Sequence, residues 1–141
     1  MANPSMTPHQ ARERAGAAHA LVRYVHAHPG PLIVTTDLNA GDQSTPYTIM
    51  TRSLNDVWRA AGWGLGHTFP GALSPGSSRP VIRGIAVPMW LVRIDYVFCS
   101  RDWRVCWARI GPWDGVSDHR PVLAHLALAR GTAANRAESN A

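Results

Sequence analysis

A chain of 141 residues, 45% hydrophobic and only 16% charged, can bury one core and is not disordered as a whole. No run approaches the ~18 apolar residues of a membrane span, and the first residues lack the charged-then-apolar order of a signal peptide. The chain as given is therefore expected to be soluble, whereas a longer parent could be membrane-tethered or secreted. The net charge of +5 rests on fourteen basic residues, all of them arginine. Guanidinium forks suit phosphate, but GC-rich coding yields the same composition, and these arginines are scattered rather than gathered in a nucleic-acid stripe.

The first element opens at Thr7, where Pro8 at the first helical position and Gln10 as capping-box partner predict a helix start. Ala17, Ala20, Leu21 and Tyr24 continue it at helical spacing, and Pro29-Gly30 stops it. The apolar, β-branched run at residues 31–36 predicts a strand covered on both faces and ending at Asp37. Residues 38–45 read as a polar loop, and Ser44 or Thr45 before Pro46 starts a short helix toward Arg52. A further helical turn or two is expected over residues 55–61. Residues 62–88 are rich in glycine, proline and serine, with one brief extended piece at His67-Thr68-Phe69. So long an irregular stretch in a small domain is usually functional or mobile. Residues 91–100, 103–110 and 120–128 alternate with period two and predict three strands of an antiparallel meander. Residues 1–130 are expected to form the domain and 131–141 a disordered tail. No internal repeat is present.

Cys99 and Cys106 fall on neighbouring predicted strands without zinc-ligand spacing, and two free thiols are favoured over a disulfide. His9, His19, His26 and His28 fall on or after the first helix and read as surface residues. Most of the six tryptophans read as packing, with base stacking reserved for Trp63 or Trp90 in the long loop. Gly62-Trp63-Gly64-Leu65-Gly66 follows a helix rather than a strand, so it is not a dinucleotide fingerprint.

Three acidic clusters stand where strands open into loops: Asp37-Leu38-Asn39, Arg93-Ile94-Asp95-Tyr96 and Ser117-Asp118-His119. Polar groups there can converge on one cleft while a sheet holds them rigid. Singly, each is weak, because an aspartate after a strand more often caps a turn. Together and in this order, followed by Arg120-Pro121-Val122, they resemble the motifs of the endonuclease/exonuclease/phosphatase superfamily, over residues of about 7 to 128.

The resemblance implies an α+β fold, half of a four-layer α/β/β/α sandwich, with mostly antiparallel sheet and one or two helices on one face. It implies a hydrolase of phosphodiester or phosphomonoester bonds using Mg²⁺ or Mn²⁺, since such hydrolysis needs a cation, a base and a donor to the leaving oxygen. His119 resembles the general base or phosphate-stabilising imidazole, with Asp95 holding its ring, and Asp118 a carboxylate metal ligand. Asp37 and Asn39 resemble the pair that positions the attacking water and contacts the phosphate. His67, near the cleft, is a weaker substrate-binding candidate, and Arg93 is expected to brace a neighbouring loop.

Two departures stand out. Thr36 replaces the family's glycine before Asp37, which would be crowded if that position needed positive φ. The family's first half supplies a metal-binding glutamate, and neither Glu13 nor Glu138 matches it. The chain thus reads as a C-terminal half, with truncation of a longer gene favoured over a half-domain that dimerises. Its expected partners are a phosphoester substrate, nucleic acid among them, and a missing N-terminal half or a dimer partner. The alternative is a catalytically inactive half-domain serving binding or assembly. The choice among DNA, RNA, lipid and inositol phosphate substrates stays open.

Overall fold

The computed structural model describes residues 7–71 and 81–129. The tail expected at 131–141 lies outside the described residues. Helix α1 spans Pro8–Ala27 and begins as its sequence predicts. Thr7 Oγ1 accepts from the Gln10 amide at 3.3 Å, and Gln10 Oε1 accepts from the Thr7 amide at 3.0 Å. Such a reciprocal cap is worth ~1 kcal/mol. Helix α2, Thr45–Thr51, is capped by the Ser44 side chain.

Strands β1, Ile33–Asp37, β2, Asn55–Asp56, and β5, Asp95–Cys99, form an antiparallel sheet in the order β1-β5-β2. Val34 lies opposite Phe98 and Thr36 opposite Tyr96, so these four share one face. That face packs on α1 and α2 through Ala18, Val25, Tyr47, Ile49 and Met50. Phe98 and Met50 are fully buried, each worth about 1.5–3 kcal/mol of transfer free energy.

Four expectations need correction. β1 is not covered on both faces: the alternate residues Ile33, Thr35 and Asp37 are exposed, Ile33 by 46%. Period two sends them away from the helices, and nothing among the described residues covers them. The last three strands are not one meander, because β5 is already edged by β1 and by the two residues of β2. Strands β6, Trp103–Ile110, and β7, Val122–Leu128, pair only with each other in a separate hairpin. Before Asp95 the chain is irregular and meets Phe69 through a bridge at Val92. The helical stretch expected over residues 55–61 opens as strand β2, and Asp56 then caps the five-residue helix α3, Val57–Ala61. Within the long loop, Val81–Ile82 (β3) and Ile85–Ala86 (β4) make a small hairpin.

Helix α3 packs with Cys99 and the hairpin face that carries Val105, Ala108, Ala124 and Leu126. Cys99 is buried, Cys106 is half-buried, and both are free thiols. No described helix is long and apolar enough to cross a membrane.

Candidate active site

Asp37 and Asp95 end β1 and begin β5, and the sheet register sets them directly opposite each other. The ladder therefore fixes their spacing. His119, on the loop between β6 and β7, brings its Nδ1 to 2.8 Å from Asp95 Oδ2. One donor atom from each of Asp37, Asp95 and His119 lies within 4.8 Å of the others. The cleft holding them measures about 500 Å³ and is also lined by Ser117, Arg120 and Thr35.

Asp37 forms an Asx turn, its Oδ1 accepting from the Asn39 amide at 2.7 Å. The Asn39 side chain donates to Oδ2 at 2.9 Å, so both carboxylate oxygens are held. Asn39 itself takes the left-handed conformation, φ 48°, which asparagine tolerates. Thr36 stays extended within β1, so the family's glycine is not required there. Burial, together with the facing Asp95 charge, pushes the Asp37 carboxyl up from its ordinary range, and the Asn39 amide only partly offsets this. Arg14 of α1 donates to the Asn39 carbonyl and ties the turn to the helix layer.

Asp118 sits on the other flank of the imidazole, Oδ1 at 3.8 Å from His119 Nε2. It is not part of the Asp37–Asp95–His119 cluster. His67 faces elsewhere: its Nδ1 lies 2.7 Å from the Trp90 carbonyl, and its ring lines a neighbouring pocket rather than the cleft.

Arg93 and Tyr96, on either side of Asp95 in its motif, have tasks of their own. Arg93 is 4% exposed, pairs with the buried Asp56 at 2.8 Å and lies 3.5 Å from Asp42, an ion-pair distance rather than a hydrogen bond. Tyr47 donates to Asp56 at 2.7 Å, and the guanidinium lies over the Tyr96 ring at 4.7 Å. Burial alone would raise the Asp42 carboxyl, but Arg59 and Arg93 outweigh it and the net shift is downward. The Tyr96 hydroxyl donates between the carbonyls of Ala40, at 3.0 Å, and Arg93, at 2.9 Å. Arg93 therefore braces the loop after Asn39 and does not face the cleft.

Two positioning residues escaped the sequence reading. Thr68 is fully buried; its Oγ1 accepts from the amides of Ile94 at 3.3 Å and Asp95 at 3.4 Å, and its carbonyl accepts from Arg120 at 2.9 Å. It staples the Asp95 segment to the His119 loop. Its place in the extended piece at residues 67–69 was the only sequence signal. Asp114 caps the His119 loop, accepting from the amides of Val116 at 2.9 Å and Ser117 at 3.0 Å, which lowers its pKa. Ser117 Oγ accepts in turn from the His119 amide at 3.0 Å.

The fold thus gathers two strand-end carboxylates and a carboxylate-held histidine in one cleft. Residues 2–119 match the Endonuclease/Exonuclease/phosphatase family, and the chain belongs to it. Among solved structures it is similar to an endonuclease/exonuclease/phosphatase from Bacteroides vulgatus, at 25% identity and TM-score 0.65, covering 84% of this chain and 45% of that one. A mannosyl-6-phosphatase from Bacteroides thetaiotaomicron aligns at 19% identity and TM-score 0.60, covering 87% and 48%. A Beutenbergia cavernae endonuclease/exonuclease/phosphatase aligns at 20% and 0.62, covering 92% and 34%. The chain thus spans less than half the length of these structures. No curated protein matches it.

Proposed function

We propose that the chain carries the part of a divalent-cation-dependent phosphoester hydrolase site that positions the attacking water and the scissile phosphate. The convergence of Asp37, Asp95 and His119 on one cleft supports this reading. The carboxylates at this rim, Asp95 within the cluster and Asp118 on the far flank of His119, are oxygen donors of the kind that suit Mg²⁺ or Mn²⁺. Such an ion, when bound, would neutralise phosphate charge and acidify water.

The chain's own groups do the rest. Asp37, oriented through both oxygens by Asn39, aligns the water and takes its proton, a role suited to a carboxyl of raised proton affinity. Asp95 holds His119 Nδ1, leaving Nε2 to face the phosphate, with Asp118 beside it. Among the described residues the family's glutamate ligand has no counterpart in the cleft: Glu13 pairs with His9 on α1, and Glu138 lies outside them. The active species is therefore this chain together with a complementing half. Its substrate is a phosphodiester, nucleic acid included, or a phosphomonoester, as for the mannosyl-6-phosphatase neighbour.

Asp118→Ala and His119→Ala, in that complemented protein with Mg²⁺, are each expected to lower kcat/KM on bis(p-nitrophenyl) phosphate or p-nitrophenyl phosphate about a hundredfold or more. Full activity in both variants would end the reading. The exposed Ile33, Trp107 and Leu123 favour a second reading, an inactive half-domain that docks a partner. That reading gains if the chain binds neither Mg²⁺ nor Mn²⁺ at millimolar concentration.

A further inference from the structure

Beside the catalytic cleft lies a second pocket of about 380 Å³, lined by Trp58, Trp63, His67, Arg109, Ile110 and Arg120. Its shape follows from the glycine loop after α3. A Cβ on Gly62 or on Gly66 would fall 2.4 Å from the Trp58 indole, so the backbone lies flat on that ring. Gly64 and Gly66 take φ values of +79° and +67°, and Trp58 Nε1 donates to the Gly64 carbonyl at 3.3 Å. With the backbone pressed inward, the two other side chains turn out: Trp63 is 93% exposed and Leu65 76%. The Trp63 ring therefore offers a large apolar face to solvent beside the pocket.

The charges beside it have one sign. No carboxylate lines the pocket, and among the described residues neither Arg109 nor Arg120 forms an ion pair. Arg120 lies over Trp90 at 4.3 Å and donates from Nη2 to the His67 carbonyl, while its Nε is buried without a partner. It also lines the cleft of Asp37, Asp95 and His119, so the two pockets meet at its side chain.

We propose that this pocket is a substrate subsite for a nucleotide unit next to the scissile phosphate: its ring stacks on Trp63, and Arg109 and Arg120 hold its phosphate. Flat aromatic faces accept any base, and guanidinium forks match phosphate oxygens. The inference deepens the phosphoester reading by naming a nucleotide-bearing substrate, but it is tested without turnover. Thymidine 3′,5′-bisphosphate is titrated into the chain in metal-free buffer, followed by tryptophan fluorescence and calorimetry, with inorganic phosphate as the ring-free control.

The bisphosphate should bind the unsubstituted chain more tightly than phosphate does. Trp63→Leu should weaken it roughly five- to hundredfold and leave phosphate binding unchanged. Arg109→Gln should weaken both ligands and flatten the salt dependence. Trp63 and Arg109 are exposed, so both variants keep the fold, as circular dichroism would verify. Equal bisphosphate affinity in Trp63→Leu and the unsubstituted chain, or phosphate binding as tight as the bisphosphate, overturns the subsite. Neither result bears on hydrolysis of p-nitrophenyl phosphate, so this inference and the phosphoester reading fail separately.

Discussion

The two arms of the cleft are held by opposite means. Asp37 and Asp95 stand on paired strands backed by the buried Asp56, Arg93 and Tyr47, so their geometry depends on the core. His119 stands on a surface loop shaped by its own short-range hydrogen bonds, from Asp114 and Ser117, and meets the rest of the fold through Asp95, Phe69, the Thr68 staple and the Gly71 amide on the Asp118 carbonyl. Damage to the first arm should therefore cost stability and activity together, and damage to the second should cost activity alone.

The largest expected effect is on the core arm. Asp56→Ala would leave the Arg93 guanidinium buried without its partner, a loss of about 3–5 kcal/mol that urea unfolding would measure. A loss below ~1 kcal/mol would mean the brace is dispensable. Thr68→Val, which keeps the side chain's shape and its backbone bond to the His119 loop, removes the acceptor of the Ile94 and Asp95 amides and should cost ~1–3 kcal/mol. Unchanged stability in that variant would show that the Thr68 hydroxyl does not hold the Asp95 segment.

On the loop arm, Asp114→Ala should leave the melting temperature nearly unmoved while lowering phosphoesterase activity roughly tenfold through a misplaced His119. If it unfolds the chain instead, the contrast between the arms is lost.

The smallest effect is a difference in pH response. The lowered pKa of Asp42 contributes stability above the unfolded value of about 3.9, and that stability is lost as pH falls. Asp37, whose pKa is raised, acts with opposite sign: its contribution is fully present below that value and is lost as pH rises. In metal-free buffer, Asp37→Asn should therefore stabilise the chain near neutral pH, with the advantage fading in acid. A melting temperature that falls at neutral pH would reverse this assignment.

Local chemistry was legible in the sequence. The Thr7–Gln10 cap and the run into Asp37 are neighbour relations along the chain, and both stand where their spacing predicts; of the three acidic motifs the fold gathers Asp37, Asp95 and His119 and leaves Asp118 to one side. The non-local part was not. That two residues, Asn55 and Asp56, would occupy the edge of β5 and part it from the β6–β7 hairpin depends on a pairing 40-odd residues away, which periodicity does not carry. Thr68 was missed for the same reason, since its hydroxyl meets the distant Ile94 and Asp95 amides, whereas Asp114 caps amides close along the chain, a local turn that its sequence alone did not single out.

The register that sets Asp37 against Asp95 has one further consequence. Their separation belongs to the peptide backbone, so exchanging nearby side chains leaves it intact, and only a slip of a whole strand can alter it. A loop such as residues 62–66 can therefore be rewritten without moving this pair, like an interchangeable tool head on a fixed handle.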